Sequence, residues 1–274
     1  MITATLNTSA FEYICNLVRI KSAIVLEPSK TYLVESRLNP VARQHGMESI
    51  EELVSALKRP GAQALTQQVI EAMTTNETSF FRDIHPFDAL RQQILPSLIE
   101  KRSKERSLSI WSNACSSGQE VYTITMMIRE YFPELLGWKL RIVASDLSTQ
   151  ILDKAKQGCF NQTEVNRGLP MPMLLKNFEK KGLTWQIKEE VRKMVEFRVV
   201  NLVDPFPTMT SFDIVFLRNV LIYFAPETKQ DILNKVTRVM KPDGYLFLGG
   251  AETTMNLNVS LKRELVGKAS CYRP

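Results

Sequence analysis

The chain has 274 residues, 44% of them hydrophobic and 23% charged, which is enough apolar material for one large or two ordinary globular domains and excludes a disordered or fibrous chain. No apolar run reaches the length of a membrane span, and Met1 to Ala10 lacks a basic stretch followed by an apolar core, so the expectation is a cytoplasmic protein without a secretion signal. Residues 1–73 hold seven Lys/Arg and seven Asp/Glu, so the whole net charge of +6 lies beyond them, where it favours an acidic ligand or partner or simply keeps a surface solvated.

The first 73 residues read as a helical bundle. Phe11, Ile14, Leu17 and Val18 recur at helical spacing. Pro28-Ser29 opens a second amphipathic stretch through Tyr32, Leu33, Leu38 and Val41, ending near Gly46. Residues 49–57 and 62–73 read as two more helices, parted by Pro60-Gly61. No chemistry is apparent in this part. The segment TTNETSFFRD, residues 74–83, breaks the pattern, and residues 87–99 resume helical spacing.

From there strands and helices alternate. Strands are expected at 108–112, 140–145, 212–217 and 245–248, with helices at 118–132, 148–157 and 226–240; two further β-like pieces, 183–187 and 195–200, fall in the segment that interrupts the alternation. Lys241-Pro242-Asp243-Gly244 reads as a turn, and residues 268–273 as a final edge strand. The alternation predicts a mostly parallel α/β sheet covered on both faces. Residues 158–198 interrupt it and read as an inserted small β-subdomain, with seven Lys/Arg against four Asp/Glu from residue 176 to 198. The resulting division is a helical domain at 1–73 and an α/β domain at 74–274.

Open α/β sheets bind ligands beyond the carboxyl ends of their strands. After the first strand comes Asn113-Ala114-Cys115-Ser116-Ser117-Gly118-Gln119-Glu120, whose small residues allow close backbone approach. It is neither the G-x-G-x-x-G fingerprint of nicotinamide dehydrogenases nor a P-loop. After the second comes Asp146, an acceptor suited to the two hydroxyls of a ribose; Asp146 or Ser148 could equally cap the next helix. After the third comes Asn201-Leu202, a polar group beside an apolar one, which suits an adenine ring or an ordinary strand end. After the fourth comes Arg218-Asn219, where a buried arginine would need a partner. The cysteines, Cys15, Cys115, Cys159 and Cys271, are scattered, His45 and His85 are the only histidines, and no metal-ligand spacing exists. A methyltransferase for nucleic acid lacks an N-P-P-Y motif here, and no aromatic-basic interleaving marks single-strand binding.

Each feature is ambiguous singly. In chain order, together with TTNETSFFRD, WSNACSSGQEVYTI, VEFRVVNL, FDIVFLRNVLIYF and GYLFLGGAE, they resemble the CheR-type chemotaxis receptor methyltransferases over nearly the whole chain. Gln119, Ser145 and Leu217 are mild departures, standing where that family often has Glu, Thr and Cys. The resemblance implies a Rossmann-like class I methyltransferase sheet with an inserted β-subdomain and an N-terminal all-α domain. It implies methyl transfer from S-adenosylmethionine to glutamate side chains of chemoreceptors, giving glutamyl methyl esters and S-adenosylhomocysteine, with no metal. By motif match the cofactor contacts would be Asn76, Thr78, Arg82, Glu120, Asp146, Asn201, Leu202, Arg218 and Asn219, with Arg82 and Tyr223 tied to catalysis. A monomer acting on the cytoplasmic domain of a receptor, without nucleic acid or membrane insertion, is expected.

The helical domain of such proteins helps to dock the receptor. Here Lys30 and Arg37 share a helical face, open to that role or to plain solvation. In some relatives the inserted subdomain binds a peptide tether at the receptor's C-terminus. The loop at Lys180-Lys181-Gly182-Leu183 is short compared with that type, and the expectation is independence from a tether.

Overall fold

In the computed structural model, which describes residues 6–274, Asn7 starts the first helix by accepting a hydrogen bond from the Ser9 N–H at 2.8 Å. Residues 1–5, part of the segment read above for a secretion signal, lie outside the described ones. Helix α1 (Thr8–Ser22) buries Ala10, Phe11, Ile14 and Val18, one stripe at helical spacing, and ends where Ala23 turns left-handed. A short 3-10 turn at Pro28–Lys30 leads into α2 (Thr31–Gln44), which buries Val34, Leu38 and Ala42. Ser49 caps α3 (Ile50–Leu57), and α4 (Gln63–Met73) turns Val69, Ile70 and Met73 inward. Arg37 is neither a free docking cation nor a solvated one. Its guanidinium donates to the carbonyls of Met73 (2.7 Å) and Thr74 (2.9 Å) and to the Thr75 hydroxyl (3.0 Å), closing the carboxyl end of α4. The described residues up to Thr75 form one compact unit, and Tyr223–Thr228 group with it.

The second unit comprises Asn76–Ile222 and Lys229–Pro274. Helix α5 (His85–Ala89) passes through a π-helical turn at Leu90–Ile94 into α6 (Leu95–Lys101). Pro96 is the second residue after that turn, and the widened turn accommodates a residue that cannot donate. Then follow β1 (Ser107–Asn113), α7 (Gln119–Tyr131), β2 (Lys139–Asp146) and α8 (Thr149–Gln157). The stretch after α8 holds β3 (Cys159–Asn161), α9 (Gln162–Asn166), α10 (Met171–Asn177), β4 (Phe178–Lys181), β5 (Thr184–Ile187) and α11 (Glu189–Arg192). The chain finishes with β6 (Val195–Val199), β7 (Phe212–Leu217), α12 (Pro226–Arg238), β8 (Met240–Leu248), β9 (Lys262–Val266) and β10 (Ala269–Arg273).

The main sheet runs β6-β2-β1-β7-β8-β10-β9. β6, β2, β1, β7 and β8 are parallel, while β10 is antiparallel to both its neighbours. This is the Rossmann-like methyltransferase sheet that the sequence led us to expect. β7 is wholly buried, as a central parallel strand must be when helices cover both faces. The carboxyl ends of the parallel strands stand level: Asn113 pairs with Ser145 and Leu217, Asp146 with Val199, and Leu217 with Leu248.

Three expectations need correction. Val195–Val199 pairs in parallel with β2, so the part set apart from the main sheet stops before it; the separate antiparallel sheet is β3-β5-β4. Residues 268–273 do not form the edge. β10 lies inside β9, whose exposed, charged sequence gives no apolar alternation to read. Lys241–Gly244 does not end a strand but bulges within β8, since Phe212 pairs with Met240 while Ile214 pairs with Tyr245. Buried Asp213 holds that bulge through Lys241 (2.9 Å) and Arg102 (3.0 Å), and Arg102 also pairs with Asp243.

The inserted sheet anchors the TTNETSFFRD segment. The Phe80 ring meets Phe160 and Phe178 edge-on, with centroids 5.2 and 5.9 Å away. Gly168 must be glycine, because a Cβ there would lie 2.1 Å from the Phe80 carbonyl oxygen.

Candidate active site

Asn113 closes β1, and the chain then turns through left-handed Ala114 and Ser116 to Gly118 (φ 93°), which starts α7. A Cβ at Gly118 would press on the Tyr122 ring at 3.0 Å. This turn aims the Ser116 N–H at the Asp146 carboxylate (2.9 Å), while the Ser116 hydroxyl donates to the Asn76 carbonyl (2.8 Å). The other Asp146 oxygen accepts the Ser148 N–H at 3.1 Å. Ser148, not Asp146, caps α8, accepting from the Ile151 N–H. The Val200 N–H bonds the Asp146 carbonyl, so Asn201 and Leu202 leave the sheet beside Asp146. Asn76, Asp146 and Asn201 are thus brought to one end of the sheet. Leu202 is buried, and its carbonyl accepts from Lys235.

A second cluster forms around Arg218, whose side chain is 1% exposed. Its guanidinium donates to Glu120 (2.9 Å), to Asp83 (2.9 Å) and to the Arg82 carbonyl (2.8 Å), and lies 5.5 Å from the centre of the Phe87 ring. The second Glu120 oxygen accepts the Ser112 hydroxyl at 2.8 Å. The partner that a buried arginine requires is therefore a pair of carboxylates, Glu120 from the first turn of α7 and Asp83 from the turn before α5. Arg82 itself is half-buried and donates to the Glu77 carbonyl at 3.0 Å. Thr78, also half-buried, lies between Asn76 and Phe80 on the same segment.

Sequence reasoning passed over Glu252. Its carboxylate accepts four backbone N–H groups: Val220 (2.9 Å) and Leu221 (2.7 Å) on one oxygen, Asn219 (2.8 Å) and Gly249 (2.6 Å) on the other. It shapes the loop after β7 and holds Asn219 left-handed at φ 59°. Gly249 fits only as glycine, since a Cβ would meet the Asn219 side-chain oxygen at 2.7 Å. The available signal was the G-G-A-E run directly after the last parallel strand. Ser116, Ser112 and Asp83 were also passed over, small or paired groups; the partners of Ser116 and Asp83 lie far along the chain.

Among the described residues eight non-glycine positions have positive φ, and five belong to these segments: Phe81, Asp83, Ala114, Ser116 and Asn219. Such concentration of strained backbone marks a site that the surrounding structure over-determines. Among the described residues three buried donors have no hydrogen-bond partner in the protein, and two of them, Asn113 Nδ2 and Arg218 Nε, stand here. Burial, with the nearby charges of Asp146 and Glu120, drives the Cys115 thiol well above its ordinary pKa, so it stays protonated and is no nucleophile. Tyr223 ends a short 3-10 turn, Leu221–Tyr223, and its carbonyl accepts the Val25 N–H at 3.1 Å; it groups with the helical unit, whereas the other candidates belong to the α/β unit.

The comparisons with known proteins agree with one another. A family model described as CheR methyltransferase, SAM binding domain, matches residues 76–267, and one described as CheR methyltransferase, all-alpha domain, matches residues 9–74. The chain is 46% identical over 238 residues to chemotaxis protein methyltransferase 1 of Pseudomonas aeruginosa, covering 85% of this chain and 86% of that one. It is 44% identical over 238 residues to chemotaxis protein methyltransferase Cher2 of Pseudomonas putida, with the same coverage. To chemotaxis protein methyltransferase 1 of Vibrio cholerae it is 35% identical over 260 residues, 94% of each chain. With its helical domain, its Rossmann-like sheet and this set of strand-end residues, the chain belongs to the CheR methyltransferase family and is an S-adenosylmethionine-dependent methyltransferase.

Proposed function

We propose that the protein methylates glutamate side chains in the cytoplasmic domain of a chemoreceptor, yielding glutamyl methyl esters and S-adenosylhomocysteine for sensory adaptation. The observation that carries the reading is the set of polar groups gathered at the carboxyl ends of β1, β2, β6 and β7, within a chain matched to the family over both of its parts. The groups fit the cofactor chemically. Asn113 Nδ2 and Arg218 Nε are buried donors still lacking acceptors, the Glu120 and Asp146 carboxylates face the same end, and Gly118 leaves room at the start of α7.

When bound, S-adenosylmethionine supplies a methyl carbon already activated by its sulfonium. In this reading Asp146 accepts from the ribose hydroxyls, Asn201 and Leu202 hold the adenine, and Glu120 pairs with the α-ammonium. Asn76, Thr78, Arg218 and Asn219 complete the contacts. Arg82 holds the incoming or the cofactor carboxylate, and Tyr223 orients the acceptor or the methyl group. A glutamate carboxylate, with a reference pKa near about 4.3, is ionised at neutral pH. It needs no general base and no metal to become a nucleophile, so the work left to the protein is alignment. The division at 1–73 and 74–274 follows the same logic, with the α/β part carrying these contacts.

The same reading makes the protein a cytoplasmic monomer with no nucleic-acid partner. No helix among the described residues is long and apolar enough to cross a membrane. It also makes the enzyme independent of a receptor tether: the β4–β5 hairpin closes through Gly182 and Leu183 alone, with Leu183 94% exposed. Measurable binding of a tether peptide overturns that point. The principal test is calorimetric titration with S-adenosylhomocysteine of the wild type and of Asp146→Ala. Micromolar binding, about −8 kcal/mol, that disappears in the variant supports the reading; a folded wild type that binds nothing refutes it. On a receptor, methyl released by mild alkali marks an ester, and alkali-stable methyl refutes glutamate as the acceptor.

A further inference from the structure

We propose that the cavity on the β10 side of Arg218 receives an acidic side chain of the protein substrate, one helical turn from the glutamate being methylated. The inference rests on the methyltransferase reading above and concerns what the substrate must carry beside its acceptor.

The cavity, about 430 Å³, opens between the loop after β8 and the β9–β10 turn. Arg218 and Asp83 form part of its wall, so it adjoins the cofactor-side cluster. Its charges do not cancel. Glu252 lies in the wall, but both its oxygens are taken by four backbone N–H groups. Asp83 is paired with Arg218. Arg263, by contrast, donates only to the neutral Ser270 hydroxyl, at 2.8 and 3.2 Å. Lys268 stands exposed at the turn, with no carboxylate against it. His85 adds a further donor at the mouth. Two cations therefore face a concave space in which no carboxylate pairs with them, on the part of the chain beyond residue 73 that holds the whole +6 surplus.

The occupant this favours is a single carboxylate. Glu252 and Asp83, though hydrogen-bonded and paired, keep their charge in the same wall and repel a dianionic phosphate about twice as strongly as a monoanionic carboxylate. A glutamate or aspartate on a helical substrate, displaced by three or four residues from the acceptor, shares its face and reaches the neighbouring cavity. Charge complementarity of this kind selects partners more than it adds affinity.

The test uses the full chain and two fluorescent helical peptides. One carries a central glutamate flanked by glutamates a turn away; the other has glutamine at the flanking positions. Binding is read by anisotropy with S-adenosylhomocysteine present, against wild type and Arg263→Glu/Lys268→Glu. The expected result is that the acidic peptide binds wild type about tenfold more tightly than the double variant. The glutamine peptide should bind both alike, and lysines at the flanks should recover affinity for the variant. S-adenosylhomocysteine affinity should be equal in the two proteins, which also shows that the variant is folded. Equal preference for the two peptides in wild type and variant, with product binding intact, overturns the inference alone. Absence of product binding in wild type brings down the methyltransferase reading, and the inference with it.

Discussion

Replacing Glu252 by glutamine changes one oxygen to an amide nitrogen and leaves the volume as it was. The remaining oxygen can serve two of the four N–H groups, and the other two then face a donor. A hydrogen bond to a charged group contributes about 1.5–3 kcal/mol. Glu252 is only partly buried, so the low end applies, and losing two such bonds costs about 3 kcal/mol. For a domain of this size that corresponds to a fall in Tm of roughly 6–12 °C. The loop that drifts is the one carrying Asn219, so S-adenosylhomocysteine affinity should fall with it. The three tryptophans, Trp111, Trp138 and Trp185, all lie in the α/β unit, so fluorescence-detected urea unfolding reports that unit alone. A Glu252→Gln protein that unfolds within about 0.5 kcal/mol of wild type and binds product equally would refute the idea that this carboxylate shapes the loop.

Arg218→Met should cost about 3–5 kcal/mol, because it strands the nearly buried Glu120; adding Glu120→Gln should recover part of that loss, and strictly additive effects in the double-variant cycle would contradict the pairing. Arg37→Ala should destabilise the helical unit by about 2–3 kcal/mol through the lost bonds at the end of α4, read by circular dichroism. Unchanged stability with weakened receptor binding would instead restore its docking role. For Glu51, the Asn7 N–H at 3.0 Å and its own N–H hold the carboxyl below its ordinary value. The stabilisation is therefore present above the unfolded value of 4.5 and is lost as pH falls through the folded one. Urea midpoints should fall more steeply below that pH for wild type than for Glu51→Gln, and parallel acid limbs would count against it.

The central strands were legible because β1 and β7 are apolar runs bounded by polar turns, and the helices of the first unit because their stripes recur every three or four residues. β9 was not, since an edge strand of exposed charged residues has no buried face to leave a pattern. Nor was the bulge in β8, where the turn-like Lys241–Gly244 is held by Asp213 and Arg102 from other strands and helices. Motif matching found Asp146, Glu120 and Arg218, but not what they hold. Arg37 reaches carbonyls 36 and 37 positions away, and Glu252 reaches back 31 to 33 positions to the loop after β7. Bonds between a side chain and distant backbone leave no local spacing, so only the fold exposes them.

The left-handed residues around the strand ends have a consequence for anyone wishing to make the protein hardier. Ala114, Ser116 and Asn219 each hold a conformation that glycine adopts freely. For an ordinary side chain that conformation costs roughly 1–2 kcal/mol. Glycine at Ala114 would remove the strain while loosening the turn that aims the Ser116 amide at Asp146. On the proposed assignment of the cofactor site, heat tolerance and grip on the cofactor are therefore set against each other at the same few positions, and a screen for thermostable variants should drift toward proteins that release their ligand more readily.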